Sequence, residues 1–110
     1  MTIVHVVLFE WKPELTEEKI QEACKGMLAL KEQCIRPTSQ KPYILSSSGG
    51  KNNSPEGHSG GLNHGFVVEF ASAEDRDYYV NKDPAHQDFI KFVLPLIQGA
   101  RIVDYEPGKF

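Results

Sequence analysis

A chain of 110 residues has room for one compact domain and hardly for two, so a single domain over residues 1–110 is expected. Hydrophobic residues make up 40% and charged residues 25%, an ordinary globular composition, and the formal charge of −3 leaves no electrostatic footprint for nucleic acid and no polybasic patch for a membrane surface. A domain this small buries only part of its apolar surface, which invites help from a second copy.

The opening, "MTIVHVVLFEWK", is too short to span a bilayer and has neither a basic n-region nor a small-residue cleavage site, so it reads as neither membrane helix nor signal peptide. Its core, "TIVHVVLFE", is dense in β-branched residues and predicts a strand that breaks at Pro13. Ile3, His5, Val7 and Phe9 alternate with Val4, Val6 and Leu8, and since both sets are apolar, both faces should be covered. Trp11, just past the strand, is expected to pack at a dimer edge. Thr16 is a good N-cap, followed by Glu17 and Glu18 where the helix dipole favours acids, and the stripe Ile20, Ala23, Cys24, Met27, Leu28, Leu30 carries a helix to about residue 34. Cys24 and Cys34 lie ten positions apart, roughly 15 Å of helical rise, too far for a disulfide. They read as free thiols of a cytoplasmic, reducing compartment.

"RPTSQKP" is a connector and "YILSSS" a short second strand. Residues 46–63, "SSSGGKNNSPEGHSGGLN", are loop by composition, long enough to be either a lid over a cavity mouth or disordered, with His58 simply part of it. The segment lacks the G-x-x-x-x-G-K-[ST] spacing of a phosphate loop. "HGFVVEF" predicts a third strand with His64, Phe66, Val68 and Phe70 on one face. Ser72 caps a short helix, "AEDRDYYVN". A further helix is expected from about Ala85 to Gln98 along Phe89, Ile90, Val93, Leu94 and Ile97, with Pro95 kinking or fraying its end. "ARIVDYE" closes the chain as a fourth strand.

The order β-α-β-β-α-α-β is the ferredoxin-like split βαβ pattern with its second helix broken in two. The expected class is therefore α+β, a four-stranded antiparallel sheet with helices on one face. A second copy of the sheet is the simplest cover for the other face, giving a homodimer with a barrel-like interior.

"IVHVVLF", "HGFVVEFAS", "YYVNKDPAHQDF" and "IVDYE" together resemble the stress-responsive dimeric α/β-barrel (Dabb) family, over nearly the whole chain. The resemblance implies a ferredoxin-like protomer that pairs into a dimeric barrel. Function varies within the family: some members look like stress or structural proteins with no assigned reaction, whereas a polyketide-cyclising branch performs an aldol condensation without metal or organic cofactor, using a tyrosine and a histidine. That histidine maps onto His86, in "PAH", and the tyrosine onto Tyr79 or, with one extra residue before the proline, Tyr78. His5 and His64 also match histidines of that branch, whereas Asp83 stands where it has a further histidine, and the loop before the third strand is longer here. Both departures leave the substrate open.

On the residues themselves, His86 has the ordinary histidine pKa that lets it take and return a proton near neutrality, and a tyrosine hydroxyl can hold an enolate oxygen. The alternative is that His86 merely caps or packs at the start of its helix, and that one tyrosine is a core aromatic with a satisfied hydroxyl. If the face carrying His5 and His64 points into the barrel, His5, His64 and His86 converge on a cavity, with Phe9, Phe66, Phe89 and Tyr78 as candidate substrate contacts. No H-x-H or i,i+4 histidine pair occurs, so a metal site is not expected. Two readings stand: a cofactor-independent cyclase or lyase in which His86, Tyr79 and His5 act on a small apolar carbonyl compound, and a non-catalytic, stress-related or small-molecule-binding dimer. A cofactor-free oxygenase is a variant of the first, resting on fold analogy alone.

Overall fold

In the computed structural model, which describes residues 1–110, the β-branched opening forms strand β1, Ile3–Trp11. Thr16 caps helix α1, Glu17–Gln33, by accepting a hydrogen bond from the Lys19 N–H, and Ala23, Met27 and Leu30 are its buried stripe. A two-residue ribbon, β2 (Ile35–Arg36) with β3 (Lys41–Pro42), leads into β4, Ile44–Lys51. Then come β5 (His64–Phe70), α2 (Ala73–Asn81, capped by Ser72), α3 (Pro84–Val93), a short 3-10 turn at Leu94–Leu96, and β6 (Ile97–Tyr105). The main sheet is antiparallel in the order β4-β5-β1-β6, the ferredoxin-like arrangement.

Three local expectations are corrected. The strand expected in "YILSSS" runs on to Lys51, so residues 49–51 are strand, not loop, and the connection before β5 begins at residue 52. Gly49 pairs with Phe66, and a Cβ at position 49 would lie 2.2 Å from the Phe66 ring. Gly49 is thus what lets this edge strand cross a large aromatic. The long predicted helix ends at Val93, because Pro95 cannot continue the α-helical hydrogen bonds, and Ile97 and Gln98 belong to β6 instead. Trp11 is the last residue of β1 and sits in the core, 6% exposed, rather than at an edge.

The core lies between sheet and helices. Ile3, Val7 and Phe9 of β1 and Phe66, Val68 and Phe70 of β5 meet Ala23, Met27 and Leu30 of α1 and Phe89 and Val93 of α3. The other sheet face carries Val6, Leu8, Val67, Val103 and Tyr105, and the last three stand 38%, 60% and 49% exposed. Residues 52–63 fold beside that outer face, near Leu8 and Gly65, and are tied at their base by hydrogen bonds from the Asn52 N–H to the Asn63 carbonyl and from the Asn63 N–H to the Phe9 carbonyl. No helix is long and apolar enough to cross a membrane.

Candidate functional site

The helical layer reaches little of β6: Ile102, on the helix-facing side of that strand, is 60% exposed. In the gap lies a cleft of about 500 Å³ between α2, α3 and the β1–β6 pair, and 11 of its 16 lining residues are hydrophobic, so its wall is mostly apolar. Its polar groups are His5, His86, Arg76, Asp77 and Asp104.

Antiparallel register places His5 of β1 opposite Asp104 of β6. The His5 Nδ1 lies 2.6 Å from Asp104 Oδ1, and the other carboxylate oxygen accepts from Arg76 Nη1 at 2.9 Å. A carboxylate only accepts, so His5 donates from Nδ1 and its Nε2 carries the lone pair in the neutral ring. Arg76 also donates from Nε to Asp77 at 2.8 Å, and these two acids raise its pKa.

His86 is fixed by the start of α3. Asp83, 1% exposed, is the N-cap: it accepts from the Ala85 N–H at 2.9 Å and from the Tyr43 hydroxyl at 2.6 Å. Pro84 opens the helix where a missing N–H is harmless. His86 then reaches back to the Tyr79 carbonyl, 2.8 Å from its Nδ1. A carbonyl also only accepts, so the same tautomer follows and Nε2 is again left without a partner in the chain. Burial pushes the His86 pKa down, the Tyr79 carbonyl pulls it partly back, and nearby His5 lowers it further. The ring is therefore a neutral base near pH 7.

Tyr79 sits between the two imidazoles without entering the cleft. Its ring stacks on His86 at 3.8 Å between centroids and meets His5 edge-on at 5.8 Å. Its hydroxyl is buried with no hydrogen-bond partner, and burial, with Cys34 and Asp83 nearby, pushes its pKa up. A direct oxyanion role for that hydroxyl does not match this geometry, because α2 packs the side chain inward. Tyr78 points the other way, against Arg36 and Tyr43. Phe9 and Phe89 line the cleft, whereas Phe66 is buried in the core away from it.

The histidines converge only in part. His64 faces the helical side but pairs with Phe9, at the other end of β1 from His5, and its Nδ1 accepts from the Trp11 indole N–H at 2.9 Å. The lid alternative for the long loop does not match its place, since residues 52–63 flank the outer sheet face rather than the cleft. Cys24 and Cys34 are free thiols, and burial together with Asp83 pushes Cys34 up to about 12. No three His, Cys, Asp or Glu side chains gather at metal-ligand spacing.

Sequence reasoning did not single out Asp104 or Arg76 as site residues. Asp104 stands in "RIVDY", and the split βαβ pattern pairs the first and last strands, but the register that sets it opposite His5 has no local signature.

A family model described as the stress responsive A/B barrel domain matches residues 3–107. The stress-response A/B barrel domain-containing protein HS1 of Arabidopsis thaliana is 30% identical over 105 residues, 96% of this chain and 89% of that protein. A crystal structure of an Arabidopsis thaliana protein superposes with a TM-score of 0.81 at 28% identity, covering 98% of this chain and 97% of the other. The hydroxynitrile lyase of Passiflora edulis gives 0.81 at 19% identity, covering 99% and 96%. A dimeric ferredoxin-like protein of unknown function from Jannaschia sp. gives 0.77 at 23%, covering 96% and 99%. With 105 of its residues spanned by the family model and the ferredoxin-like sheet in place, the chain belongs to the stress-responsive A/B barrel (Dabb) family.

Proposed function

We propose that this protein is a lyase or cyclase that makes or breaks a carbon–carbon bond beside a carbonyl by acid–base chemistry on a small, largely apolar, polyketide-like substrate. One observation carries the reading: two imidazoles that line one apolar cleft are each held through Nδ1 by an acceptor, and neither Nε2 has a partner in the chain. In the cyclising direction, His86 Nε2 removes a proton from a carbon next to a carbonyl. The C–H electron pair becomes an enolate and adds to a second carbonyl carbon of the same molecule. The π pair of that carbonyl becomes an alkoxide, which takes back the proton from His86. Cleavage runs the same steps in reverse. Asp104 and Arg76 hold His5 beside the reacting oxygen, and Tyr79 serves through its backbone carbonyl and ring, which fix His86. A hydroxynitrile lyase of similar fold supports lyase chemistry as compatible with this scaffold.

The protein acts as a homodimer in this reading, paired through the apolar outer sheet face, as its dimeric structural relatives suggest. Two free thiols accord with a cytoplasmic setting. A second reading, a non-catalytic small-molecule-binding dimer, is favoured by one observation, the absence of a tyrosine hydroxyl from the cleft.

The test is turnover of a panel of linear β-diketones, β-ketoesters and cyanohydrins. His86→Ala should lose at least about 100-fold in rate, the range of general acid–base catalysis, while its elution volume and thermal midpoint stay near wild type. Tyr79→Phe should retain activity. Normal turnover by His86→Ala sinks the assignment, and no turnover of the panel by the wild type leaves the binding reading.

A further inference from the structure

Only three permanently charged side chains line the cleft: Arg76, Asp77 and Asp104. Arg76 is the obvious anchor for an anionic ligand, since a guanidinium matches a carboxylate with paired donors. Here it is already engaged. Its Nε donates to Asp77 at 2.8 Å and its Nη1 to Asp104 at 2.9 Å. With His5 neutral, one cation beside two carboxylates leaves this end of the cleft with a formal excess of one negative charge. Asp104 is also the partner of His5 at 2.6 Å, so a ligand that displaced it from Arg76 would disturb the imidazole as well.

We propose that the cleft selects an uncharged ligand bearing a carbonyl or hydroxyl group, and that Asp77 and Asp104 exclude carboxylates from it. This rests on the cleft being the ligand site proposed above. A carboxylate entering it meets two acids already paired with Arg76 and an apolar wall elsewhere, where it loses hydration without gaining an unpaired counter-ion. A ketone, ester, amide or cyanohydrin has no such cost, and its oxygen or hydroxyl can meet the two free imidazole nitrogens. The natural substrate is accordingly a neutral carbonyl compound or its neutral adduct, and a free keto acid is a poor one.

Three near-isosteric probes test this: benzylacetone, hydrocinnamide and hydrocinnamate. Binding is read by NMR from the His5 and His86 ring signals at neutral pH and low salt. The two neutral probes should shift both rings, and hydrocinnamate should bind at least about tenfold more weakly, a gap that narrows with added salt. Asp77→Asn should narrow the gap by strengthening hydrocinnamate relative to benzylacetone. Equal or tighter binding of hydrocinnamate overturns the proposal, as does failure of both neutral probes to shift the rings. A gap unchanged in Asp77→Asn and Asp104→Asn alike also overturns it. Because binding is read without turnover, the two ideas separate. Neutral selectivity without turnover of any panel member counts against the reaction alone, and turnover with equal carboxylate binding counts against the charge selection alone.

Discussion

His5 and His64 lie on the same side of neighbouring strands, yet they belong to two different chemistries. At the His5 end, both imidazoles bind acceptors through Nδ1, a carboxylate for His5 and a carbonyl for His86, so each keeps an accepting nitrogen for the cleft. At the other end, Trp11 donates to His64 Nδ1. The accepting nitrogen is spent, and Nε2 carries the proton. A neutral His64 therefore has no lone pair to offer a substrate. Residue type and strand face were the same for both; what each ring nitrogen meets decides which imidazole can act as a base.

The sharpest way to break this contrast is to remove one imidazole from each end. His86→Ala is expected to cost at least about 100-fold in turnover, whereas His64→Gln, which can still accept from Trp11, should stay within about threefold of wild type. The comparison fails if His64→Gln is the more damaging change in steady-state rate.

Next in size is the support beneath His86. Asp83→Ala removes the cap of α3 and strands the buried Tyr43 hydroxyl, a combined loss of about 2–4 kcal/mol in urea unfolding. The fluorescence of Trp11, the single tryptophan, should keep its native position, because it reports the other end of the sheet. A shifted native spectrum would show the two ends to be coupled.

Where the sequence was legible follows from the same physics. Periodicity and caps gave the fold, because alternation in β1 and β5 and the N-caps Thr16 and Ser72 are local signals that tertiary packing agrees with. Composition misread residues 49–51, because the reason for the glycine is Phe66 on the neighbouring strand, a contact with no local signature. The site was half legible. His86 and His5 were found by motif, but their shared cleft, the His5–Asp104 pair and the separation of His64 depend on register, which pairs residues almost the full chain apart. The inward turn of Tyr79 was equally hidden, since neighbouring tyrosines on a helix look alike until one is packed.

Gly49→Ala perturbs the closed end in turn. A methyl group there must push the Phe66 ring aside, at an expected cost of about 1–3 kcal/mol in thermal or urea unfolding. Turnover of the folded variant should be unchanged, because Phe66 is not part of the cleft wall. A rate loss at constant folded fraction would place the strain on the cleft end and blur the contrast.

The smallest effect is a titration. The Trp11–His64 hydrogen bond exists only while His64 Nδ1 is unprotonated, since a protonated ring would present an N–H to the indole N–H. Burial lowers the His64 pKa from 6.5; Glu17 pulls it upward and Lys51 downward. The folded value therefore lies below the unfolded one. Above about pH 6.5 neither state is protonated and the stabilising hydrogen bond is intact. As pH falls from there through the folded value, the unfolded chain takes up the proton first and stability declines. His86, also lowered, contributes in the same direction, so the wild type alone cannot apportion the decline. His64→Gln should remove part of that acid-side loss of stability together with the matching change in Trp11 fluorescence, and His86→Gln should remove the rest while leaving the fluorescence change in place. A Trp11 titration that survives His64→Gln would mean that the indole senses another group, and that the closed end is not set by this imidazole.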